Sequence, residues 1–312
     1  MGINTPRHYL EVKDLSKDEI LRLIGRAIRL KEIQRLARVH RPAAGKVLGM
    51  LFEKPSTRTR ISFEAAMYGL GGNLSFMASR DLQLGRGEPL KDTARVLSRY
   101  LDCLVVRTFG QDLVQELAEW SDIPVINGLT DQHHPCQILS DLMTVVEYKG
   151  EDLQGLKIAW IGDGNNMANS WIQAAGRLRF ALALACPAGF EPDKDVLEWA
   201  RGQDGAAIEL FRDPHDAIRD ADVVNTDVWA SMGQEDDADR RKAIFAQFQV
   251  NSRLMKLAKP NAILLHCLPA HRGEEITEDL LEGPQSVVWD QAENKMHLHK
   301  AVLEWAMRLD YY

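Results

Sequence analysis

Three hydroxyl side chains and two guanidinium groups stand within five consecutive residues of the first quarter of the chain. The run is Ser56-Thr57-Arg58-Thr59-Arg60. Hydroxyls donate single hydrogen bonds, and the planar fork of arginine matches phosphate oxygens. An apolar run at 46–51 precedes the motif, and helical spacing at 61–67 follows it. The motif is therefore predicted to lie at a helix N-terminus, where free N–H groups and the helix dipole attract an anion. An ordinary capped helix with solvated arginines is the alternative, and a single capping hydroxyl would suffice for it.

Further polar side chains stand where predicted strands end or predicted helices begin. They are Arg107 at the end of a strand and the run His134-Pro135-Cys136-Gln137 at the start of a helix. Each alone would be explained as a surface arginine or a structural histidine. A zinc site of His133, His134 and Cys136 is disfavoured, because adjacent residues rarely face one metal and no further ligand pair follows. Together with the hydroxyl motif, Arg107 is predicted to be a second anchor for the same anion, and the run at 134–137 offers a neutral donor or acceptor beside a carboxamide.

The second half of the chain contains a glycine turn that invites a dinucleotide-binding interpretation. The turn is Gly162-Asp163-Gly164-Asn165-Asn166. Met167 occupies the position of the third glycine, and Cys186-Pro187 stands where an acidic residue is expected. We therefore interpret the turn as a tight bend that directs Asn166 into a binding site.

Two more strand ends carry reactive or charged groups. The first is Asp227, followed by the loop Ser231-Met232-Gly233, and the second is the run His266-Cys267-Leu268-Pro269. Asp227 could simply form an Asx turn, and a cysteine at such a position is usually inert packing. Both stand where predicted strands end, which is where ligands of α/β folds bind.

The elements that must position these groups alternate between strand and helix along most of the chain. A capping box at Ser16 and Glu19 opens a helix predicted to end near Arg35. Residues 79–88 are polar and glycine-rich, which predicts an exposed loop. Strands are predicted at 46–51, 73–77, 102–108, 124–127, 156–161, 181–185, 207–211, 222–227, 262–267 and 287–289, and a helix at 294–308. This order predicts an α/β fold with two domains, each a parallel sheet flanked by helices, and an interdomain cleft. The predicted domains are 1–149 and 150–293.

Composition excludes several functional classes. The chain has 312 residues, is 45% hydrophobic and 27% charged, and carries a net charge of −7. The negative charge argues against binding to nucleic acid, and no apolar run is long enough to span a membrane. The N-terminal residues lack a signal-peptide core. Four well-separated cysteines without a CxxC pair indicate reduced thiols, so we expect a cytoplasmic location.

Taken in order, the five motifs resemble those of the aspartate/ornithine carbamoyltransferases, and the resemblance covers nearly the whole chain. The SMG and HCLP motifs are similar to those of the members that use ornithine. The resemblance implies transfer of a carbamoyl group from carbamoyl phosphate to the δ-amine of L-ornithine, without a metal or organic cofactor. It also implies two interdomain helices and a C-terminal helix, 294–312, that packs back on the first domain.

The resemblance assigns residues to each substrate. Carbamoyl phosphate is expected to contact Ser56, Thr57, Arg58, Thr59, Arg107, His134, Pro135, Cys136, Gln137 and Lys295. Ornithine is expected to contact Asn166, Asp227, Ser231, Met232, Cys267 and Leu268. The catalytic group is Arg107, His134, Asp227 and Cys267. Lys295 departs from the family pattern, which has an arginine there, so it keeps the charge but loses the fork.

In the family, a glutamine reaches the active site of the neighbouring subunit in a cyclic trimer, and Gln83 matches it. We therefore expect a homotrimer with shared sites. Three alternative functions remain. One is a sibling enzyme that acts on putrescine or acylated ornithine, the second is a non-catalytic anion-binding protein, and the third is an NAD-dependent dehydrogenase. Asp227 argues against the first, because it suits a free α-amino acid.

Overall fold

The computed structural model describes residues 5–78, 87–230 and 237–309. The chain divides into two compact units. Unit 1 comprises Met1–Met143 and Glu293–Tyr312, and unit 2 comprises Thr144–Ala292. Each unit contains one fully parallel sheet flanked by helices, which confirms the predicted α/β class. Within the described ranges, no helix combines the length and the apolar character needed to cross a membrane.

Unit 1 has a four-stranded sheet in the order β2-β1-β3-β4. Its strands are β1 (Val47–Phe52), β2 (Asn73–Ala78), β3 (Cys103–Arg107) and β4 (Val125–Leu129). Its helices are α1 (Lys17–Arg35), α2 (Thr57–Gly69), α3 (Leu90–Tyr100), α4 (Gln111–Glu119) and the first part of α5 (Pro135–Lys149). The predicted capping box is confirmed, because the N–H of Glu19 donates to the Ser16 hydroxyl (3.3 Å) and the N–H of Ser16 donates to the Glu19 carboxylate (3.0 Å).

Unit 2 has a five-stranded sheet in the order β7-β6-β5-β8-β9. Its strands are β5 (Lys157–Ile161), β6 (Ala181–Ala185), β7 (Ala207–Phe211), β8 (Val223–Thr226) and β9 (Ile263–His266). Its helices are α6 (Asn166–Leu178), α7 (Lys194–Arg201), α8 (Pro214–Ile218), α9 (Ala238–Phe245), α10 (Ser252–Met255), α11 (Glu278–Leu281) and the start of α12 (Val288–Ala306), which continues into unit 1.

The two strand orders place a topological switch point in each sheet. In unit 1 the connections leave β1 and β3 toward opposite edges, and in unit 2 they leave β5 and β8 toward opposite edges. Ligands of open parallel sheets bind where the carboxyl ends of such strands meet. The register aligns these ends, since Phe52 lies beside Arg107 and Ile161 lies beside Thr226. Four of the predicted site motifs therefore follow strands that flank the switch points, namely those at Ser56, Arg107, Asn166 and Asp227. The motifs at His134 and Cys267 follow the adjacent strands β4 and β9.

The strand predicted at 287–289 is wrong, because Val288 and Trp289 form the first turn of α12. The N–H of Val287 donates to the carbonyl of Leu264 (3.1 Å), and Ser286 forms only an isolated bridge to the same strand. Three consecutive apolar residues cannot distinguish a short strand from a helix start. The helix predicted at 294–308 accordingly begins six residues earlier, at Val288, and ends at Ala306.

Candidate active site

The predicted anion motif occupies the first turn of α2. Ser56 is the N-cap, and its hydroxyl accepts the N–H of Thr59 (3.2 Å). Thr59 is buried, whereas Thr57 and Arg58 are exposed at the end of the helix. This turn therefore combines hydroxyl groups, one arginine and the positive end of the helix dipole, which is suitable chemistry for a phosphate group.

The second arginine of the motif turns toward β2 instead. The Arg60 guanidinium forms an ion pair with Glu64 (2.9 Å) and lies over the ring of Phe76 at 3.9 Å. Arg58 is therefore the motif arginine with which a bound anion would pair.

Arg107 and His134 lie at and beyond the carboxyl ends of β3 and β4, the two strands that lie on one side of β1 in the sheet. Arg107 ends β3 and is 5% exposed. The β3–β4 register shifts between Val106 and Arg107, an irregularity of the kind that redirects a side chain near a site. His134 immediately precedes α5 and is also buried. A buried guanidinium and a buried imidazole thus lie at the same end of the strands as the α2 motif.

The environment of His134 keeps its imidazole neutral. Burial is the largest cause, and the positive charges of Lys295 and Arg107 add to it, so the pKa of His134 falls well below its ordinary value. A neutral imidazole can donate one N–H without carrying a charge of its own. His134 is therefore suited to donate a hydrogen bond to an oxygen at neutral pH.

Lys295 connects the motifs of unit 1. Its ammonium donates to the side-chain carbonyl of Gln137 (2.7 Å) and to the hydroxyl of Thr59 (3.2 Å). The Gln137 amide in turn donates to Asp141 (2.8 Å). Lys295 is only 5% exposed, so this charge is held inside the unit. The lysine that departs from the family pattern therefore lies directly against two residues of the predicted site.

Pro135 and Cys136 have packing roles in the structure described here. The carbonyl of Pro135 accepts the Tyr9 hydroxyl (3.2 Å), and the Cys136 thiol donates to the carbonyl of Asn127 (3.5 Å). Burial raises the pKa of Cys136 to about 12, so the sulfur stays a protonated thiol. Their expected contacts with a ligand stay predictions.

Asp227 is the centre of the second cluster, which lies in unit 2. Its carboxylate accepts the Asn165 amide (3.0 Å), the N–H of Val228 (2.9 Å) and the Cys267 thiol (3.1 Å). Asp227 is 6% exposed, and Cys267 is partly exposed. Asn165 also caps α6, accepting the N–H groups of the next turn. The sequence singled out Asn166, whereas the structure shows that Asn165 contacts Asp227.

A buried histidine and glutamate hold the loop that contains Cys267 and Leu268. The N–H of Leu268 donates to Nδ1 of His266 (2.9 Å), so the proton of this imidazole lies on Nε2, 3.0 Å from Glu275. The same Glu275 oxygen accepts the N–H of His271 (2.6 Å). Leu268 has a left-handed φ of 58°, which is costly for a branched side chain, and this network holds it. The sequence did not identify Glu275.

An arginine that the sequence also missed ties the turn after β5 to the segment after β8. The Arg241 guanidinium donates to the Asp163 carboxylate (2.8 Å) and to the carbonyl of Trp229 (2.7 Å). It lies 4.9 Å from the centroid of the Phe190 ring and is 9% exposed. Arg241 thereby fixes Asp163, two residues before Asn165.

Ser231 and Met232 lie outside the described residues, as does Gln83 in unit 1.

One ligand atom each of Asp227, His266 and Cys267 lies within 4.8 Å of the others, a spacing that a metal could use. The hydrogen bonds above already occupy both ring nitrogens of His266 and both oxygens of Asp227. A metal would have to displace these hydrogen bonds.

Comparisons with known proteins agree across the whole chain. A family described as "Aspartate/ornithine carbamoyltransferase, carbamoyl-P binding domain" matches residues 7–147, and its "Asp/Orn binding domain" partner matches residues 154–306. A protein named ornithine carbamoyltransferase from Desulfotalea psychrophila is 60% identical over 96% of this chain and 98% of its own. The solved ornithine carbamoyltransferase of Pyrococcus furiosus is 48% identical, with a TM-score of 0.94, over 98% of this chain and 99% of its own. The enzyme of the same name from Burkholderia thailandensis is 44% identical, with a TM-score of 0.88, over 96% and 98%.

Proposed function

Because the chain belongs to the aspartate/ornithine carbamoyltransferase family, we propose that it transfers the carbamoyl group of carbamoyl phosphate to the δ-amine of L-ornithine. The products are L-citrulline and phosphate. The observation that carries the proposal is the Asp227 carboxylate, held at a strand end against the Cys267 thiol (3.1 Å). A protein that only bound an anion would not require a buried carboxylate in its second unit.

In this proposal, unit 1 binds carbamoyl phosphate. Ser56, Thr57, Arg58 and Thr59 hold the phosphate at the N-terminus of α2, and Gln137 and Lys295 complete the site. The amine attacks the carbamoyl carbon, a C–N bond forms, and negative charge develops on the carbonyl oxygen. Arg107 and neutral His134 donate to that oxygen, and each such preorganised donor is typically worth ~3–4 kcal/mol in the transition state. The C–O bond to phosphate then breaks, and the departing phosphate can accept the proton that the nitrogen loses.

Unit 2 binds ornithine. The Asp227 carboxylate pairs with the α-ammonium, and Cys267 with Leu268 positions the δ-amine. Ser231 and Met232 are assigned to the same substrate from the family motif, and so is Asn166. The Asn165 amide and the Cys267 thiol orient the carboxylate before the substrate arrives. Positioning of two substrates in this way supplies much of the rate enhancement of a two-substrate transfer.

The decisive assay measures ureido product with four acceptors in parallel. They are ornithine, putrescine, N-acetylornithine and aspartate, each with carbamoyl phosphate. We expect ornithine to be used at least ~10²-fold more efficiently than the others. N-acetylornithine lacks the α-ammonium that pairs with Asp227, putrescine keeps that ammonium but lacks the α-carboxylate, and aspartate lacks the δ-amine. Loss of a buried charge pair costs ~2–5 kcal/mol. Higher activity with any other acceptor would contradict the assignment of ornithine. No product with any acceptor would favour a non-catalytic anion-binding protein.

Activity is expected to rise with pH above 7. A free alkylamine has a pKa of ~10.4, so only a small fraction of ornithine has the neutral amine that can attack. The pKa of His134 is already well below its ordinary value, so this side chain stays neutral over the same range. We predict that log kcat/KM for ornithine increases with pH with a slope approaching +1 below the amine pKa. A maximum in the acid range, measured at constant ionic strength, would contradict attack by the amine.

Loss of the Lys295 ammonium is expected to weaken binding of carbamoyl phosphate. In the proposed site the Lys295 ammonium, which lies against Gln137 and Thr59, pairs with carbamoyl phosphate. A charged hydrogen bond of this kind is worth ~1.5–3 kcal/mol, so Lys295→Met should raise KM for carbamoyl phosphate about 10-fold or more. Lys295→Arg, which keeps the charge and restores the fork, should retain or lower that KM. The matched control is Lys31→Met, which removes a lysine hydrogen bond to α12 outside the site (2.8 Å to Asn294). Equal KM values for carbamoyl phosphate in Lys295→Met and Lys31→Met would show that Lys295 does not bind this substrate.

We also propose a homotrimer in which Gln83 reaches the carbamoyl phosphate of the neighbouring subunit. Large apolar side chains exposed on α2 and α3 support an interface on unit 1, among them Tyr68 at 59% and Tyr100 at 72% exposed. The four cysteines are free thiols, which is compatible with the proposed cytoplasmic location. The role in arginine metabolism follows from the products.

A further inference from the structure

Four residues outside the proposed site join the three loops that carry its unit 1 half. They are Glu53 and Lys54 after β1, Thr108 after β3 and Asp131 after β4. We call these four residues the loop clasp. Each is close in sequence to a proposed ligand-binding residue, since Lys54 precedes Ser56 by two residues, Thr108 follows Arg107, and Asp131 precedes His134 by three.

The first tie of the loop clasp runs from the β1 loop to the β4 loop. The Lys54 ammonium forms an ion pair with the Asp131 carboxylate and lies 4.2 Å from the centroid of the Phe109 ring. Lys54 is 5% exposed, whereas the Asp131 side chain is 60% exposed. Lys54 is thus enclosed by the loops that follow β1, β3 and β4. Its ammonium pairs with Asp131 in the β4 loop and faces the Phe109 ring in the β3 loop.

The second tie runs from the β1 loop to the β3 loop. The Thr108 hydroxyl donates to the Glu53 carboxylate, and the N–H of Glu53 donates to the carbonyl of Arg107 (2.8 Å). The β3 and β4 loops are joined as well, since the N–H of Asp131 donates to the carbonyl of Phe109 (2.9 Å). The loops that follow neighbouring strands of the sheet are thus joined to one another beyond the ends of those strands.

We infer that the loop clasp is a set of positioning residues, which hold Arg107 and His134 at the geometry that carbamoyl transfer requires. The inference rests on the proposed function. Donors act on a developing oxyanion only when they are already aimed at it, and a misplacement of ~1 Å can cost ~10²-fold in rate. The loops that carry Arg107 and His134 follow different strands. Lys54 and Glu53 tie both loops to the one that carries the phosphate-binding turn.

The test is Lys54→Met in the full-length protein. We expect kcat/KM for carbamoyl phosphate to fall by ~10–100-fold, because the ion pair that joins the β1 and β4 loops is gone. The melting temperature should change little. Methionine fills the volume of the buried lysine stem, and the exposed Asp131 carboxylate is solvated by water. A functional loss without a stability loss is a result that a merely structural role would not give.

Lys46→Met is the matched control. Lys46 pairs with Asp102 (2.8 Å), and the two residues precede β1 and β3 at the opposite end of the same strands. This substitution removes a Lys–Asp pair far from the strand ends that carry the site, so its kinetic constants should match those of the wild type. Lys54→Arg, which keeps the ion pair, should recover most of the activity lost in Lys54→Met.

A double-mutant cycle completes the design. Asp131→Asn should lower kcat/KM as Lys54→Met does. The double variant should be no less active than the less active single variant, because both substitutions remove the same ion pair. The inference is overturned if Lys54→Met has the kinetic constants of Lys46→Met. It is also overturned if Lys54→Met lowers only the melting temperature. A wild-type protein that forms no citrulline would instead overturn the proposed function.

Discussion

Replacing Arg107 with methionine is expected to lower kcat/KM for carbamoyl phosphate by on the order of 10²–10³-fold. Arg107 is 5% exposed at the carboxyl end of β3, beside the switch point of the unit 1 sheet. In the proposed reaction its guanidinium donates to the carbonyl oxygen as that atom gains negative charge. A donor that acts mainly in the transition state changes kcat and kcat/KM together, so most of the loss should appear in kcat rather than in KM.

Methionine keeps most of the buried volume, and the melting temperature of the variant provides a check on folding. The matched control is Arg99→Met, since the Arg99 side chain is 75% exposed on α3 and its charge is far less enclosed. Arg99→Met should retain wild-type kinetics. If Arg107→Met folds normally and keeps kcat within ~3-fold of the wild type, Arg107 does not stabilise the oxyanion and the mechanism must be revised.

The parts of the site that the sequence predicted well are those defined by local signals. Ser56 caps a helix directly after a buried strand, so its position follows from hydrophobic pattern and capping chemistry alone. The strand predictions at 181–185 and 207–211 match the structure because alternating loops and helices isolate each short apolar run. Parallel strands place their carboxyl ends at one edge, which is why motifs far apart in sequence could be assigned to common sites.

Contacts between distant segments could not be predicted in this way. Lys295 lies 158 residues from Gln137 and 236 residues from Thr59, and no local pattern joins them. Arg60 looked equivalent to Arg58 within the motif, yet the neighbouring strand offers it an aromatic ring and sets the two apart. The groups that an arginine side chain contacts depend on tertiary packing. Counting the arginines of the motif therefore overestimated the number of guanidinium groups that this turn offers to an anion.

The proposed ornithine-binding cluster of unit 2 also depends on contacts that the sequence did not predict. Asn165 and Asn166 are identical in type, and only the helix start decides that Asn165 is the cap whose amide reaches Asp227. A test for the N-cap position after the glycine turn could have found it. Glu275 follows His266 by nine residues with no periodic relation, so its role in holding the Cys267 loop is visible only in three dimensions.

The second large effect is expected for Asp227→Asn, which keeps the shape of the side chain and removes its charge. We predict a fall in kcat/KM for ornithine of on the order of 10²–10³-fold, since truncating one partner of a buried charge pair costs ~2–5 kcal/mol. The sharpest readout compares ornithine with 5-aminopentanoate, which has the same δ-amine but lacks the α-amino group. The wild type should strongly prefer ornithine. In Asp227→Asn this preference should nearly vanish, while the low activity with 5-aminopentanoate stays about the same.

The comparison separates a binding role from a loss of structure, because a distorted site would lower activity with both acceptors. Asp216→Asn, an exposed aspartate on α8 of the same unit, is the control and should leave the preference unchanged. Asn165 donates to one oxygen of Asp227, whereas Val228 and Cys267 donate to the other, so an asparagine can keep the contacts to Val228 and Cys267 but loses the one to Asn165 without rearrangement. A shifted side chain would lower activity with both acceptors equally, so the ratio of the two kcat/KM values, rather than either value alone, reports the loss of the charge pair. An unchanged preference for ornithine in Asp227→Asn would mean that the α-ammonium is bound elsewhere, and Asp227 would then serve only to orient Cys267.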